Sequence, residues 1–332
     1  MDFFDTSYTP NGKKPPMDFA QSHRKPEDFG AVAQSLVEAL PWIKNSTGKT
    51  VLIKYGGSAM ENPELMSGVM QDILLLKIIG MNPVIVHGGG KDISAAMKAH
   101  NIPVEFRNGL RVTSPEAMEI VRQVLVGSVN RRLVDALNKH GHLAVGVSGG
   151  DACTIQATQM DPELGRVGQV HNIDPMYLER LIEDEYIPIV ATVAAGDDGM
   201  PFNVNADLAA GKIAAAIHAH KIIFLTDVDG LYLDFQDKNS LIARLSSAEA
   251  REMIDSGSLS AGMIPKIEAC LSALDAGIPR AHIINGTIPH ALLLELLTDR
   301  GVGTMIVSSE QNPEYEAADL APLAARLDIN QH

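Results

Sequence analysis

Short apolar segments alternate with helical patterns along most of this sequence, and no other feature limits the possible folds as strongly. The apolar segments predict strands at Val51–Lys54, Pro83–His87, Leu143–Val147, Ile187–Val193, Lys221–Thr226, Ala281–Ile284 and Thr304–Val307. The helical patterns lie near Glu64–Ile79, Asp92–His100, Pro115–Lys139, Pro175–Glu185, Asp207–Ala219, Ser247–Asp255 and Lys266–Ala276. Because parallel strands need crossover connections, we expect an α/β fold, a three-layer αβα sandwich around a mostly parallel central sheet.

The composition is ordinary for a globular protein that can bury a sizeable core. The chain has 332 residues, of which 45% are hydrophobic and 20% charged, enough for one large α/β unit or two lobes. Its formal net charge of -14 argues against nucleic acid or an anionic membrane surface as a partner. An acidic protein that binds a phosphate must do so locally, with a few placed lysines and backbone amides.

The cysteines and the apolar segments indicate a compartment. Cys153 and Cys270 lie in apolar sequence without metal-ligand spacing, so we expect buried, reduced thiols and a cytoplasmic protein. No apolar stretch is long enough to span a membrane, and the N-terminus lacks a signal-peptide hydrophobic region.

The N-terminal region differs in character from the rest. Residues Met1 to about Asp28 are rich in Pro, Lys, Asp and Ser; we interpret them as a mobile arm, in which Met17 is an alternative start. Phe29 to Leu40 then places apolar residues on one face of a helix, which we expect Pro41 to end. This face packs either on its own domain or, as we favour, on another subunit.

These features suggest a division of the chain into five parts. The expected parts are an arm at 1–28, an oligomerisation helix at 29–45, an N-lobe at 46–200 that binds the acceptor substrate, a C-lobe at 201–310 that binds the nucleotide, and a tail at 311–332. The polar stretch Gly196–Asn205 is the candidate junction between the lobes.

The first predicted strand ends in Lys54, followed by Gly56 and Gly57. A lysine at the end of a buried strand is costly unless something negative meets it, and paired glycines allow close approach to the backbone amides. This end is either a phosphate site or a hairpin turn whose lysine extends to solvent.

The second strand runs through His87-Gly88-Gly89-Gly90 directly into a helix. Glycines at such a turn expose amides beside a positive helix dipole, which favours an anion. The spacing is not GxGxxG, which argues against a dinucleotide site. Aspartates at later strand ends, in Ser148-Gly149-Gly150-Asp151 and Thr226-Asp227-Val228-Asp229-Gly230, either make turns or face a nucleotide and its magnesium.

Several polar residues outside the strand ends are also candidate site residues. Asn205 is a natural N-cap and Asp207 favours a first helical turn, whereas Asn203 lies before the cap and could reach a substrate. Lys266 follows Pro265 at a predicted helix start, where a cation opposes the dipole unless an anion is near. Arg111 could grip a carboxylate with two hydrogen bonds or be a surface residue. Together these residues favour phosphoryl transfer.

The motifs occur together, in this order, in one known family. They are Lys54-Tyr55-Gly56-Gly57, His87-Gly88-Gly89-Gly90, Asn108-Gly109-Leu110-Arg111-Val112-Thr113, Asn203-Val204-Asn205-Ala206-Asp207 and Gly262-Met263-Ile264-Pro265-Lys266. From about Leu40 to Ser308 the chain resembles the N-acetyl-L-glutamate kinases of the amino acid kinase family. The third motif separates these from aspartate, carbamate and uridylate kinases. The resemblance implies the amino acid kinase fold.

The resemblance also implies a reaction: ATP phosphorylates the γ-carboxylate of N-acetyl-L-glutamate in the second step of arginine biosynthesis. The implied catalytic residues are Lys54, Lys266 and Asp207. N-acetylglutamate would be held by Gly89, Gly90, Arg111 and Asn203, and ATP would be contacted by Gly57, Thr226, Asp227 and Val228. Mg²⁺ would be carried mainly by the nucleotide, so we expect no metal site built by the protein.

Regulation by L-arginine is a further implication. Arginine-inhibited members of the family carry an extra N-terminal helix that interlaces dimers into a hexamer, and Phe29–Leu40 is a candidate for it. The residues that match the arginine site are Lys221, His282, Glu295 and Gly301. Glu295 either pairs with the guanidinium or is a solvated helix charge.

Three rival functions remain to be separated. The nearest is another amino acid kinase with glutamate or aspartate as acceptor. The second is a non-catalytic amino-acid sensor of the same fold, against which the presence of both Lys54 and Lys266 argues. The third, a dinucleotide oxidoreductase, requires a GxGxxG motif after the first strand, which is absent.

Overall fold

The structure is a computed structural model, and it describes residues 26–60, 62–107, 109–234, 236–259, 263–298 and 301–308. The predicted arm up to residue 25, with Met17, and the predicted tail at 311–332 lie outside these residues. In the described part of the chain, no helix combines the length and the apolar character needed to cross a membrane.

The strands form one large sheet and two small ones. In chain order they are β1 (Thr50–Tyr55), β2 (Asn82–His87), β3 (Phe106–Arg107), β4 (Leu110–Arg111), β5 (Ala144–Ser148), β6 (Ile155–Gln159), β7 (Gly168–Ile173), β8 (Ile187–Ala191), β9 (Val193–Gly196), β10 (Pro201–Asn203), β11 (Lys221–Thr226), β12 (Arg244–Ser246), β13 (Arg280–Asn285) and β14 (Thr304–Val307).

Helices connect most of these strands. They are α1 (Pro26–Ser46), α2 (Pro63–Ile78), α3 (Gly90–Ala99), α4 (Pro115–Arg122), α5 (Asn130–Asn138), α6 (Met176–Glu183), α7 (Ala206–Ala216), α8 (Ser247–Asp255), α9 (Ile264–Asp275) and α10 (Ala291–Leu297). A π-helical segment, Gln123–Val129, joins α4 to α5, so the predicted helix at Pro115–Lys139 is one helical run of two hydrogen-bonding patterns.

The large sheet has eight strands in the order β12-β14-β13-β11-β1-β2-β8-β5. Every neighbouring pair is parallel except β13 and β14. The predicted mostly parallel central sheet is therefore confirmed, and β1 lies in its interior between β11 and β2. Because both of its neighbours run parallel to it, β1 cannot be the first strand of a hairpin, and the hairpin alternative for Lys54 is wrong.

Helices cover both faces of this sheet. Leu52 and Val84 point into a core that contains α7, α8 and α9. Their sequence neighbours Val51, Ile53 and Ile85 point into a second core with α2, α5 and α10. Strands that are apolar at every position are buried on both faces, and the three-layer αβα arrangement follows.

Helix α1 continues through Pro41 to Ser46, so the prediction that Pro41 ends this helix is wrong. It also begins at Pro26 rather than at Phe29. Proline removes one backbone donor from a helix interior, at a cost of roughly 3 kcal/mol. Trp42 and Ile43, which follow Pro41, pack on the core that contains α2 and α10. The burial of these side chains offsets the lost hydrogen bond.

A second sheet, with strand order β10-β9-β6-β7, was not predicted. The apolar run at Ile187–Val193 is divided at Thr192 between β8 and β9. The polar stretch at Gly196–Asn205, expected to be a junction, contains the β9–β10 hairpin of this sheet. Strands β6 and β7 escaped prediction because polar residues such as Gln156 and His171 interrupt their apolar pattern.

Cys270 is buried in α9 as expected, but Cys153 is exposed. Cys153 follows Ala152 in a short turn, and both have a positive φ, of 54° and 49° respectively. Apolar neighbours in sequence do not bury a side chain when the backbone turns at that residue, so the prediction of a buried thiol at Cys153 is wrong.

Candidate active site

A cleft lies at the carboxyl ends of the central strands, where ligands of parallel α/β sheets gather. Residues that follow β1 and β2 line one part of it, together with the beginning of α3. The adjoining part is a cavity of about 170 Å³. Its lining includes Gly89, Gly90, Arg111, Thr192 and Asn203.

Lys54 forms an ion pair with Asp207 at the floor of the cleft. The Lys54 Nζ atom lies 2.7 Å from Asp207 Oδ1, and both side chains are largely buried. Asn205 caps α7 as predicted, because its Oδ1 accepts from the amides of Asp207 and Leu208 at 2.9 and 3.1 Å. The cap places Asp207 in the first turn of α7, facing the end of β1.

Lys266 lies in the first turn of α9 as predicted, and Pro265 is the second residue of this helix rather than the first. Cys270 is one turn further along, on the same face of the helix. The pKa of the Cys270 thiol is raised by burial and by the negative charge of Asp207. Helix α7, which carries Asp207, packs on α9, since an added Cβ at Gly211 would lie 3.5 Å from Ala273 Cβ. The residues 260–262 before this helix, including Gly262 of the motif, lie outside the described residues.

The Gly88-Gly89-Gly90 turn leads from β2 into α3. A side chain at Gly89 would crowd the π-helical segment, since an added Cβ would lie 2.8 Å from Leu125 Cδ2 and 3.2 Å from Val129 Cγ2. Glycine is required at this position by close packing against Leu125 and Val129. The backbone carbonyl of Gly90 accepts from Arg111 Nη2 at 2.7 Å.

His87 forms a hydrogen bond with the backbone of this turn, a role that was not predicted from the sequence. It is completely buried, and burial lowers its pKa to about 4. The Asn130 side chain donates to His87 Nε2 at 3.1 Å, so the neutral ring donates from Nδ1 to the Gly88 carbonyl at 2.9 Å. Asn130 also donates to Ile189 O. The Asn130 amide therefore fixes the tautomer of His87.

Arg111 is buried at the wall of the cavity, with 7% of its surface exposed, which excludes the surface-residue alternative. Its Nη2 also donates to Ser94 Oγ at 2.8 Å, and its guanidinium carbon lies 4.7 Å from the centre of the Phe106 ring. Burial lowers its pKa, because the charged guanidinium loses contact with solvent. Asn108, in the same motif, lies outside the described residues.

Asn203 lies on the other side of this cavity. Its Nδ2 donates to Thr113 Oγ1 at 3.2 Å, and the Thr113 hydroxyl donates to the Arg111 carbonyl at 2.8 Å. Arg111 and Asn203 are therefore brought together by Thr113. The sequence motif that ends in Thr113 was recognised, but no role was predicted for the threonine, because nothing in the sequence places it beside Asn203.

The loop after β11 faces the glycines that follow β1. Gly57 has φ +77°, and an added Cβ would collide with the carboxylate of Asp227. Thr226 Oγ1 accepts from the Val228 amide at 3.1 Å, so this local turn is made by the threonine side chain rather than by an aspartate. Asp229 is held by Tyr232 and Asn285, each at 2.7 Å. Gly57 lines the cleft, and the Asp227 carboxylate of this loop lies against it.

The described residues contain no group of three or more His, Cys, Asp or Glu side chains that could hold a metal ion. A further cavity, of about 550 Å³, lies between α8 and residues 233–245. It belongs to the same half of the chain as the Asp227 loop.

The predicted arginine-site residues are also brought together, away from the cleft. His282 and Glu295 are both buried, and His282 Nδ1 lies 2.6 Å from Glu295 Oε1. The amides of Val302 and Gly303 donate to Glu295 Oε2 at 2.8 and 3.2 Å. The reading of Glu295 as a solvated charge is therefore wrong. An added Cβ at Gly301 would lie 2.8 Å from Glu295 Oε2.

The charges in this cluster are consistent with neutral histidine and ionised glutamate. Burial lowers the pKa of His282, and the nearby positive charge of Lys221 lowers it further. Burial acts to raise the pKa of Glu295, but the His282 hydrogen bond and the two amides lower it overall. His282 Nε2 is buried and has no hydrogen-bond partner among the described residues.

Comparison with known proteins gives consistent matches. The sequence model of the Amino acid kinase family matches residues 49–285. The chain is 50% identical over 276 residues to the acetylglutamate kinase of Caldanaerobacter subterraneus subsp. tengcongensis, covering 82% of this chain and 92% of that protein. The acetylglutamate kinase of Petrotoga mobilis matches with the same identity, length and coverage.

Among solved structures, N-acetylglutamate synthase from Neisseria gonorrhoeae, complexed with coenzyme A and N-acetylglutamate, is similar in fold. The TM-score is 0.75 at 24% identity, over 89% of this chain and 70% of that one. The same protein complexed with coenzyme A and L-arginine gives a TM-score of 0.74 at 23% identity, with the same coverage. At this identity the likeness concerns the fold alone.

Proposed function

This chain belongs to the amino acid kinase family, and we propose that it transfers the γ-phosphoryl group of ATP to the γ-carboxylate of N-acetyl-L-glutamate. The products are ADP and N-acetyl-L-glutamyl 5-phosphate. Acetylglutamate kinases are relatives at 50% identity over most of the chain. We expect the reaction to serve arginine biosynthesis in the cytoplasm, where ATP is available.

One observation carries the proposal: Lys54, which is paired with Asp207, lines one continuous cleft together with the Gly88–Gly90 turn and the buried Arg111. A dicarboxylic substrate needs two anion sites, one for the carboxylate that stays and one for the carboxylate that reacts. Arg111 suits the site for the carboxylate that stays. Its Nη2 atom is hydrogen-bonded to Gly90 and Ser94, whereas Nε and Nη1 donate to no oxygen of the described residues and can therefore bind a carboxylate.

The reacting carboxylate needs no general base. A side-chain carboxyl with a pKa of about 4.3 is already ionised at neutral pH. One of its oxygens attacks the γ-phosphorus of ATP, a new P–O bond forms, and the bond between that phosphorus and the β-phosphate oxygen breaks to release ADP. The main obstacle is the repulsion between two anions, so catalysis consists of positioning and charge stabilisation.

The residues of the cleft have separate tasks in this scheme. Lys54 and Lys266 stabilise the charge of the transferring group, and Asp207 orients Lys54 through the 2.7 Å ion pair. The amides of Gly89 and Gly90 bind the reacting carboxylate at the start of α3, where the helix dipole favours an anion. Asn203 binds the acetamido group. Gly57, Thr226, Asp227 and Val228 contact ATP, whose Mg²⁺ arrives with the nucleotide.

The test is acyl phosphate formation, trapped as a hydroxamate with hydroxylamine. N-acetylglutamate, glutamate and aspartate are compared as acceptors with ATP and Mg²⁺. We expect hydroxamate from N-acetylglutamate alone. Product from glutamate or aspartate would identify another acceptor specificity, and no product from any acceptor in folded protein would favour an amino-acid sensor.

We also propose feedback inhibition by L-arginine at the Lys221, His282, Glu295 and Gly301 cluster. Glu295 offers a buried carboxylate beside the unpartnered His282 Nε2. The guanidinium would share Glu295 Oε1 with His282 or displace it, because Oε2 is occupied by two amides. Adding arginine to the hydroxamate assay tests this, and unchanged activity up to millimolar arginine would contradict it.

The proposed assembly is a hexamer in which α1 joins dimers. Leu36, Val37 and Leu40 of this helix are 66%, 41% and 48% exposed, and an apolar stripe of this kind favours a partner surface. Sedimentation of the protein and of a Leu36→Asp/Leu40→Asp variant tests the proposal. We expect the variant to sediment as a smaller species, and equal masses would exclude a role of this stripe in assembly.

A further inference from the structure

Thr113 and Asn203 form a hydrogen-bonded unit behind the cavity wall. Thr113 is fully buried and Asn203 lines the cavity. The hydroxyl of Thr113 lies 2.8 Å from the Arg111 carbonyl and 3.2 Å from Asn203 Nδ2. This unit joins the Asn203 side chain to the backbone of Arg111, and the proposed function assigns these two residues to different parts of one substrate.

The single proton of the hydroxyl decides which end of the Asn203 amide faces the threonine. A backbone carbonyl only accepts, so the Thr113 hydroxyl must donate to Arg111 O. Its remaining capacity is to accept, and the Asn203 group that lies against it must therefore be the donor, Nδ2. The other end of the amide, Oδ1, accepts no hydrogen bond from the described residues.

The backbone holds this unit in place. The Thr113 amide donates to Leu164 O at 3.0 Å, and Arg166 N donates to Thr113 O at 2.6 Å. Asn203 N in turn donates to Arg166 O at 2.9 Å. Arg166 therefore fixes the backbones of Thr113 and Asn203 relative to each other. Since Thr113 is inaccessible, water cannot replace its hydroxyl.

We propose that Thr113 is a positioning residue that orients the Asn203 amide so that its oxygen, and not its nitrogen, is presented to the acylated nitrogen of the substrate. The proposal rests on the proposed function and deepens it. A secondary amide N–H is a hydrogen-bond donor, and Oδ1 is the acceptor that it requires. Without the threonine hydroxyl, the Asn203 amide is free to turn and to present two N–H donors instead.

The experiment compares N-acetylglutamate with (S)-2-acetoxyglutarate, in which an ester oxygen replaces the N–H. Binding of both compounds is measured by calorimetry for the wild type, Thr113→Val and Thr113→Ser. Valine keeps the shape but removes the hydroxyl, whereas serine keeps the hydroxyl. Loss of one well-oriented hydrogen bond is worth roughly 1–1.5 kcal/mol, or about tenfold in affinity.

We expect the wild type and Thr113→Ser to prefer the N-acetyl compound by about tenfold or more, and Thr113→Val to lose most of this preference. In an Asn203→Ala background, Thr113→Val should change the preference no further. If Thr113 only stabilised the fold, Thr113→Val would weaken the binding of both compounds by the same factor, and the ratio of their affinities would not change.

The outcomes separate this proposal from the proposed function. An unchanged preference in Thr113→Val, with N-acetylglutamate bound by all three proteins, would overturn the role of Thr113 alone. A failure of the wild type to bind N-acetylglutamate would overturn both proposals. A change of preference in the Asn203→Ala background would show that Thr113 does not act through Asn203.

Discussion

Lys54 meets two requirements that a catalytic cation must satisfy together: it is placed at a strand end and it is held by a carboxylate. The 2.7 Å contact with Asp207 fixes its position. We predict that Lys54→Ala lowers kcat by about 100- to 1000-fold, the usual effect of removing a preorganised transition-state contact. The KM for N-acetylglutamate should change much less.

Lys266→Ala should show the same pattern, and the exposed Lys98→Ala is the matched control. Steady-state kinetics on proteins with unaltered circular dichroism provides the measurement. Normal turnover in Lys54→Ala or in Lys266→Ala would remove that lysine from the mechanism.

We expect Arg111 to contribute to binding more than to the chemical step, because its proposed partner is the carboxylate that does not react. We predict that Arg111→Ala raises the KM for N-acetylglutamate by about 100-fold, corresponding to a charged hydrogen bond worth roughly 3 kcal/mol. Arg107→Ala, on the neighbouring strand, removes an exposed arginine paired with Glu105 and Glu163 and should be neutral. If Arg111→Ala and Arg107→Ala had the same KM for N-acetylglutamate, the assignment of Arg111 to the carboxylate that does not react would be contradicted.

Lys54 could be singled out from the sequence because it breaks a local rule, as a charge at a buried strand end, whereas Arg111 and Asp207 were given roles only through the resemblance to the N-acetyl-L-glutamate kinases. Thr113 and His87 could not be assigned roles in the same way. Their functions depend on Asn203 and Asn130, which are distant in sequence, and a threonine or histidine between apolar residues is equally compatible with an ordinary core. Only the tertiary contacts distinguish these possibilities.

At the scale of elements, the π-helical segment Gln123–Val129 shapes the glycine turn. We predict that Gly89→Ala destabilises the protein by about 1–3 kcal/mol, as overpacking does, because its Cβ would press on Leu125 and Val129. The catalytic efficiency should also fall as the turn shifts.

Gly127→Ala is the matched control, since a Cβ there meets nothing within 4 Å. It lies in the same segment and should be neutral or slightly stabilising. Urea unfolding and kinetics check both variants. Equal stability of the two would show that the segment does not constrain the turn.

The strands of the large sheet were predictable because their apolar runs are continuous, whereas the second sheet was not. Strands β6 and β7 are half exposed, and β9 continues the run of β8, so the sequence contains no boundary at Thr192. Pro41 is the opposite case: proline is a strong local signal for the end of a helix, but α1 continues through it. The packing of Trp42 and Ile43 lies beyond the range of local sequence rules.

At the scale of the whole molecule, buried histidines make stability depend on pH. Burial lowers the pKa of His87 and of His220 to about 4, and burial also lowers that of His282. The unfolded chain takes up these protons near pH 6.5, so it binds more protons than the folded protein between about pH 6.5 and 4. The free energy of unfolding should therefore fall as the pH falls through this window.

His87 and His220 each contribute on the order of 1–2 kcal/mol between pH 6.5 and 5. Asp72 acts in the opposite sense, because burial raises its pKa in the folded state. Urea titrations of the wild type, His87→Gln and His220→Gln at several pH values measure how the free energy of unfolding depends on pH. Both variants should show a smaller pH dependence than the wild type, and a stability that rises on acidification would contradict the account.

The central claim is that a carboxylate oxygen of N-acetylglutamate receives the phosphoryl group. The most direct measurement is ³¹P nuclear magnetic resonance of the reaction with ATP, Mg²⁺ and N-acetylglutamate carrying ¹³C at its γ-carboxyl carbon. We predict a new phosphorus signal that is split by the ¹³C label, and the splitting should vanish when unlabelled substrate is used. Formation of ADP with only inorganic phosphate, or with a phosphorylated product whose signal is not split, would contradict the claim.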